Sequence, residues 1–184
     1  MSSELIVDDI WKQLTRAAKA TRAPSLAAVA YFGKGASKLL PLCRNSRLIV
    51  DASELAVKSG QTCPAELSRL QKTGVRIFSV PNLHAKLFVF GRRLFIGSTN
   101  ASNRSANTLI EAIVTTTDSD AVRAARKFVK DLCVHELGPD ALHELQSVYR
   151  PPRILGARAP RRKSSNTRNR IALPRIRIAQ LTEG

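Results

Sequence analysis

The 184-residue sequence predicts an α/β domain built on a layered sheet, and three observations predict it. Short apolar runs bounded by Gly, Pro or charge alternate with segments whose apolar residues recur at helical spacing, as expected of strands and helices laid down in turn. The length suffices for one well-buried domain with a short appendage. Hydrophobic residues make up 43% of the chain, ordinary for a globular protein and too many for a wholly disordered one.

Residues 4–20 place Leu5, Ile6, Ile10, Leu14 and the Ala17/Ala18 pair at helical spacing, with Ser2 or Ser3 as caps and Pro24 beyond the end. LAAVAYF (26–32) and RLIVDAS (47–53) are continuous apolar runs and read as short buried strands. From Ser53 the pattern turns helical, breaks at Gly60 and restarts at Pro64, with Gly74 as the closing cap. VRIFSV (75–80) is a third strand. HAKLFVF (84–90) and RLFIGS (93–98) predict a β-hairpin about Gly91 and Arg92. The polar run STNASNRSAN (98–107) reads as a loop or helix entry, and NTLIEAIVTTT (107–117), rich in β-branched residues, as another strand. SDAVRAARKFVKDLCVHEL (119–137) is the clearest helix, capped by Asp118 or Ser119, with Val122, Ala125, Phe128, Val129 and Leu132 as its buried stripe. A short helix, DALHELQSVY, precedes Pro151-Pro152. No internal repeat is present.

The net charge is +16, unevenly spread. Residues 150–184 hold ten Lys/Arg against the single acid Glu183, which predicts a domain over 1–149 and an Arg-rich C-terminal tail over 150–184. The partner implied is a polyanion, and the dominance of arginine suits bidentate phosphate contact. Cys43, Cys63 and Cys133 are widely spaced and odd in number, giving neither a disulfide framework nor a zinc pattern; buried free thiols are expected. No apolar run approaches the roughly 20 residues of a membrane span, and the N-terminus is acidic. The expectation is a soluble, cytoplasmic protein without stable membrane insertion.

Four polar groups can converge on a phosphodiester. Residues two apart on a strand share a face, which pairs His84 with Lys86 and Ser98 with Asn100 on the partner strand. Lysine supplies charge, serine and asparagine supply neutral donors, and histidine can attack phosphorus or pass a proton. Glu111, read as lying within the apolar strand LIEAIV, is expensive to bury unless paired; orienting an imidazole is one such use, and a salt bridge to Arg or Lys is another.

The order His84-x-Lys86, then Gly97-Ser98-x-Asn100, then Glu111 resembles the "HKD" signature of the phospholipase D-like superfamily. The motif departs in one place: Gly91 stands where the family has aspartate. The resemblance extends over roughly residues 25–137 and implies a mixed β-sheet flanked by helices. It implies catalytic roles for His84 as nucleophile, Lys86, Ser98 and Asn100 on the phosphoryl oxygens, and Glu111 as the group that fixes the histidine tautomer. It calls for no cofactor and no metal. A family active site needs two such motifs. His135 and His143 lack a lysine two residues on, so the resemblance implies a two-fold homodimer with His84 near the dyad. Gly91 is sensible at a tight turn, and the motif aspartate supports that hairpin more than it performs chemistry.

Three functions follow as expectations. A metal-independent endonuclease acting on DNA or RNA through a phosphohistidine fits the pI near 10.9 and the tail; its nucleic-acid contacts would include Arg92, Arg93 and Arg104, read as flanking the site, with a solvated hairpin tip as the alternative, and Arg161, Arg162 and Lys163. The alternatives are a catalytically silent nucleic-acid-binding module of the same fold, and a phospholipase or phosphatidyl transferase. No base-reading motif is visible, so low sequence specificity is expected.

Overall fold

The computed structural model describes residues 3–152. Seven strands form one mixed sheet in the order β1-β7-β6-β5-β2-β3-β4. The chain runs β1 (Ser3–Ile6), α1 (Ile10–Ala20), β2 (Leu26–Val29), α2 (Ala36–Leu39), β3 (Arg47–Val50), α3 (Glu54–Lys58), α4 (Pro64–Lys72), β4 (Arg76–Ser79), β5 (Lys86–Phe90), β6 (Arg93–Gly97), α5 (Asn103–Asn107), β7 (Ile113–Thr116), α6 (Ser119–Asp131) and α7 (Pro139–Val148). β2, β3 and β4 are parallel, and helices supply the crossovers that a parallel pairing requires, whereas β5, β6, β7 and β1 continue the sheet antiparallel.

The two faces of the sheet carry separate cores. One buries Phe88, Phe90 and Phe95 with Trp11 and Leu14 of α1 and Leu67 and Leu70 of α4. The Trp11 ring meets Phe88 edge-on at 5.9 Å, the arrangement its quadrupole prefers. On the other face Leu87, Val89 and Leu94 pack against Val122, Ala125 and Val129 of α6. Asp118 caps α6, its Oδ1 accepting from the Ala121 amide at 2.7 Å. Hydrophobic residues alternate between these cores along β5 and β6, which is why each strand reads as a solid apolar run.

The mixed sheet, the hairpin and the helices about residues 53–72, 119–131 and 139–148 match the sequence reading. Four expectations need correction. Residues 4–20 are not one helix: Ser3–Ile6 pair antiparallel with β7, and α1 begins only after Asp9, whose φ of +50° lies in the left-handed region. The last strand is shorter than predicted, so Glu111 lies two residues ahead of β7 rather than in its middle. Helix α6 ends at Asp131, and Phe128 is 43% exposed, outside the buried stripe. Cys63 is buried, but Cys43 and Cys133 are only half-buried. The residues that follow α6 lie along β4 instead: the Ser79 amide donates to the His135 carbonyl and the Leu137 amide to that of Ile77.

Candidate active site

Three neighbouring strands bring the candidate residues to one end of the sheet. Leu87 stands opposite Ile96, and Gly97 opposite Ile113. The start of β5, the end of β6 and the approach to β7 therefore lie side by side. His84 and Lys86 come from the first, Ser98 and Asn100 from the second, and Glu111 from the third. Gly97 permits this closeness: a Cβ there would stand 2.3 Å from the Ala112 carbonyl oxygen and 2.6 Å from Ile113 Cα.

Lys86 and His84 differ in setting. His84 is exposed and precedes β5, whereas Lys86 is the first residue of that strand and only 8% exposed. The Lys86 ammonium donates to the His84 carbonyl at 2.9 Å. Burial pulls the Lys86 pKa below its ordinary range, and the nearby negative charge of Glu111 opposes that shift in part. The sequence placed imidazole and ammonium on a common strand face. Here the backbone leaves extended pairing just ahead of Lys86, which frees the imidazole to project into solvent.

Asn100 is held with its donor end free. Its Oδ1 accepts from the Tyr31 amide at 3.2 Å, which assigns Nδ2 as the end available to an anionic oxygen. Ser98 is exposed; its Oγ accepts from the Ala112 amide at 3.2 Å, beside Glu111.

Ser105, which the sequence reading missed, ties these parts together. Its hydroxyl donates to both carboxylate oxygens of Glu111, at 2.7 and 2.8 Å, and accepts from the Asn100 amide at 3.1 Å. The Thr99 hydroxyl stands 3.1 Å away and fills the second lone pair. In this chain, then, Glu111 is oriented by Ser105 and not engaged with His84. The available signal was the spacing Ser102-x-x-Ser105: Ser102 caps α5 by accepting from the Ser105 amide at 3.1 Å.

The cations divide between the two ends of the sheet. Arg104, exposed on α5, lies at the site end; Lys34, which the sequence reading passed over, joins it there, since its carbonyl accepts from the Asn103 amide at 3.0 Å. Arg92 and Arg93 do not flank the site. They sit at the hairpin turn, five residues along β5 from Lys86, or about 17 Å at the usual strand rise. Gly91 is at the same far end, with φ +55° and open space where a Cβ would be, so the position of the motif aspartate is remote from the reacting groups. Arg161, Arg162 and Lys163 lie outside the described residues. Among the described residues, no group of three or more His, Cys, Asp or Glu side chains is placed to hold a metal ion, and no helix is long and apolar enough to cross a membrane.

No curated protein matches the sequence. Solved structures match the fold. NucT from Helicobacter pylori superposes with a TM-score of 0.58 at 16% identity, over 74% of this chain and 98% of that one. Nuc from Salmonella typhimurium, a phospholipase D family member, gives 0.59 at 12%, over 74% and 96%. Phosphatidylserine synthase from Haemophilus influenzae gives 0.59 at 12%, over 79% of this chain but 42% of that one. The family profile described as "Cardiolipin synthase, PLD-like domain" matches residues 44–132, from the turn ahead of β3 to the end of α6. That match lies within a fold shared with NucT and Nuc across nearly their whole lengths, and the chain carries a PLD-like domain over residues 44–132.

Proposed function

We propose that the chain is a metal-independent phosphodiesterase acting on nucleic acid, a nuclease whose active site is completed by a second copy. The observation that carries this reading is the arrival of His84, Lys86, Ser98, Asn100 and Glu111 at one end of three adjacent strands. In the proposed reaction His84 attacks phosphorus, forming a P–N bond as the bond to the leaving oxygen breaks. His84 of the partner subunit protonates that oxygen. Water, deprotonated by the same partner histidine, then attacks phosphorus and breaks the P–N bond, returning His84. Lys86 and the Asn100 Nδ2 group hold the non-bridging oxygens, with Ser98 assisting, where charge develops. Glu111, steadied by Ser105, orients an imidazole once the second copy is in place.

Support for the second copy comes from the apolar surface beside the site. Ile110 is fully exposed at 103% and Leu109 at 46%, both immediately ahead of Glu111, and Ile96 is likewise exposed; such patches favour association. Support for nucleic acid comes from the charge of +16 and from Lys34 and Arg104 at the site end. Phosphatidyl transfer draws only on the names of the lipid synthases that the chain is similar to.

The test is degradation of plasmid and single-stranded DNA in excess EDTA, with wild type beside His84→Ala. Wild type is expected to cleave and His84→Ala to bind without cleaving. Binding without cleavage by both proteins would leave a silent binding module, and cleavage by both would remove His84 from the chemistry.

A further inference from the structure

The far end of the sheet carries a feature that the proposed reaction does not use. Because β7 runs antiparallel to β6, with Thr116 opposite Leu94, helix α6 starts beside the β5–β6 turn. Between turn and helix lies an open cavity of about 260 Å³ lined by Arg92, Thr117, Ser119, Val122, Arg123 and Arg126. Three guanidinium groups and two hydroxyls therefore surround an apolar floor.

One of these arginines is held by a neutral acceptor and another only by an exposed ion pair. Arg126 donates through Nη2 to the Gly91 carbonyl at 2.5 Å, a neutral acceptor that fixes the side chain across the turn and leaves its charge intact. Arg123 is paired with Asp120 one turn away, both 74% exposed, and an exposed pair of this kind is easily exchanged for another anion. Of the other acids nearby, Asp118 is committed to the helix cap, and Glu4 faces Arg93 in the adjoining hollow beyond Thr117. At Gly91 no side chain enters the space beside the arginines: an added Cβ would meet nothing within 4 Å.

We infer that this cavity is a second phosphate-binding site, which holds the backbone of a nucleic-acid strand away from the candidate active site. The chemistry is that of phosphate recognition: guanidinium forks bind two oxygens at once and hydroxyls fill the remaining directions. The distance selects a polymer. About 17 Å of β5 separates the turn from Lys86, a span of about five phosphates along one strand of duplex, so a single headgroup cannot reach both places. The choice of nucleic acid as the polymer rests on the nuclease reading; the anion site itself rests on the arginines.

The experiment uses the full chain carrying His84→Ala, so that the probe survives. A labelled single-stranded oligonucleotide is titrated by fluorescence anisotropy over a series of salt concentrations, with the parent compared to Arg123→Ala/Arg126→Ala and to Gly91→Asp. The aspartate adds charge into open space at a left-handed position that Asp tolerates, so it tests the site without removing packing. Both variants are expected to raise Kd roughly fivefold and to lower the slope of log K against log salt by about one for each phosphate no longer neutralised. Gly91→Asp in the otherwise wild-type chain should leave hydrolysis of a small aryl phosphodiester unchanged. Unaltered Kd and slope in both variants would overturn the second site while leaving the nuclease reading intact. Weakening in Gly91→Asp alone would also overturn it, since an added negative charge repels any polyanion nearby. Failure of the parent to bind would overturn both readings.

Discussion

The hydroxyl of Ser105 has one proton and two lone pairs, and all three are in use: Glu111 takes the proton, and Asn100 and Thr99 supply the donors. Ser105→Ala removes every one of these bonds at a buried position. Unfolding in urea should show a loss of about 1–3 kcal/mol, and the pH profile of kcat/KM should shift because Glu111 is no longer held. Lys86 behaves differently. Burial lowers its pKa from the ordinary 10.5, against the pull of Glu111. Below the folded pKa the ammonium is charged in both states, and the fold bears the cost of burying it. As pH rises through the folded pKa toward 10.5 the unfolded chain binds more protons, so stability increases in that window. Lys86→Met should therefore be at least as stable as wild type at pH 7, with wild type gaining on it in alkaline urea titrations, while phosphodiesterase turnover is lost. The residues that the sequence revealed are those whose chemistry is unusual for their place, such as the lysine in KLFVF. Ser105 was hidden because one serine in the polar run STNASNRSAN carries no such contrast.

Among the elements, the β6–β7 pair sets how close Asn100 and Glu111 can come. Gly97 has no room for a methyl group because the Ala112 and Ile113 backbone is already there. Gly97→Ala should cost about 1–3 kcal/mol by chemical denaturation, as overpacking does, and should lower turnover more than binding. The hairpin, the parallel β2–β4 unit and helix α6 were legible because each announces itself within a dozen residues, through an apolar run, a cap or a turn glycine. The edge strand β1 was not. Leu5 and Ile6 fit the helical spacing of Ile10 and Leu14, and the strand that captures them lies more than a hundred residues downstream. Arg92 and Arg93 were misread for a related reason: nearness to the motif in sequence is reversed by the length of β5, which carries them to the other end of the sheet.

At the scale of the whole molecule, the single His84–Lys86 motif and the exposed Leu109 and Ile110 beside it predict association. Sedimentation should give a dimer at assay concentrations, and Ile110→Asp should shift it toward monomer and reduce cleavage in the same proportion; a monomer with full activity would dismiss the shared site. The outermost pairing of the sheet carries a different consequence. Ser3 lies against Thr116, and Ile6 against Ile113, so during synthesis β1 has no neighbour until β7 has followed it. At about 5–20 residues per second that wait is on the order of ten seconds, during which Leu5 and Ile6 stay unpaired beside a half-built sheet. Docking of β1 is therefore a late event in biosynthesis, and non-local closure of this kind slows folding.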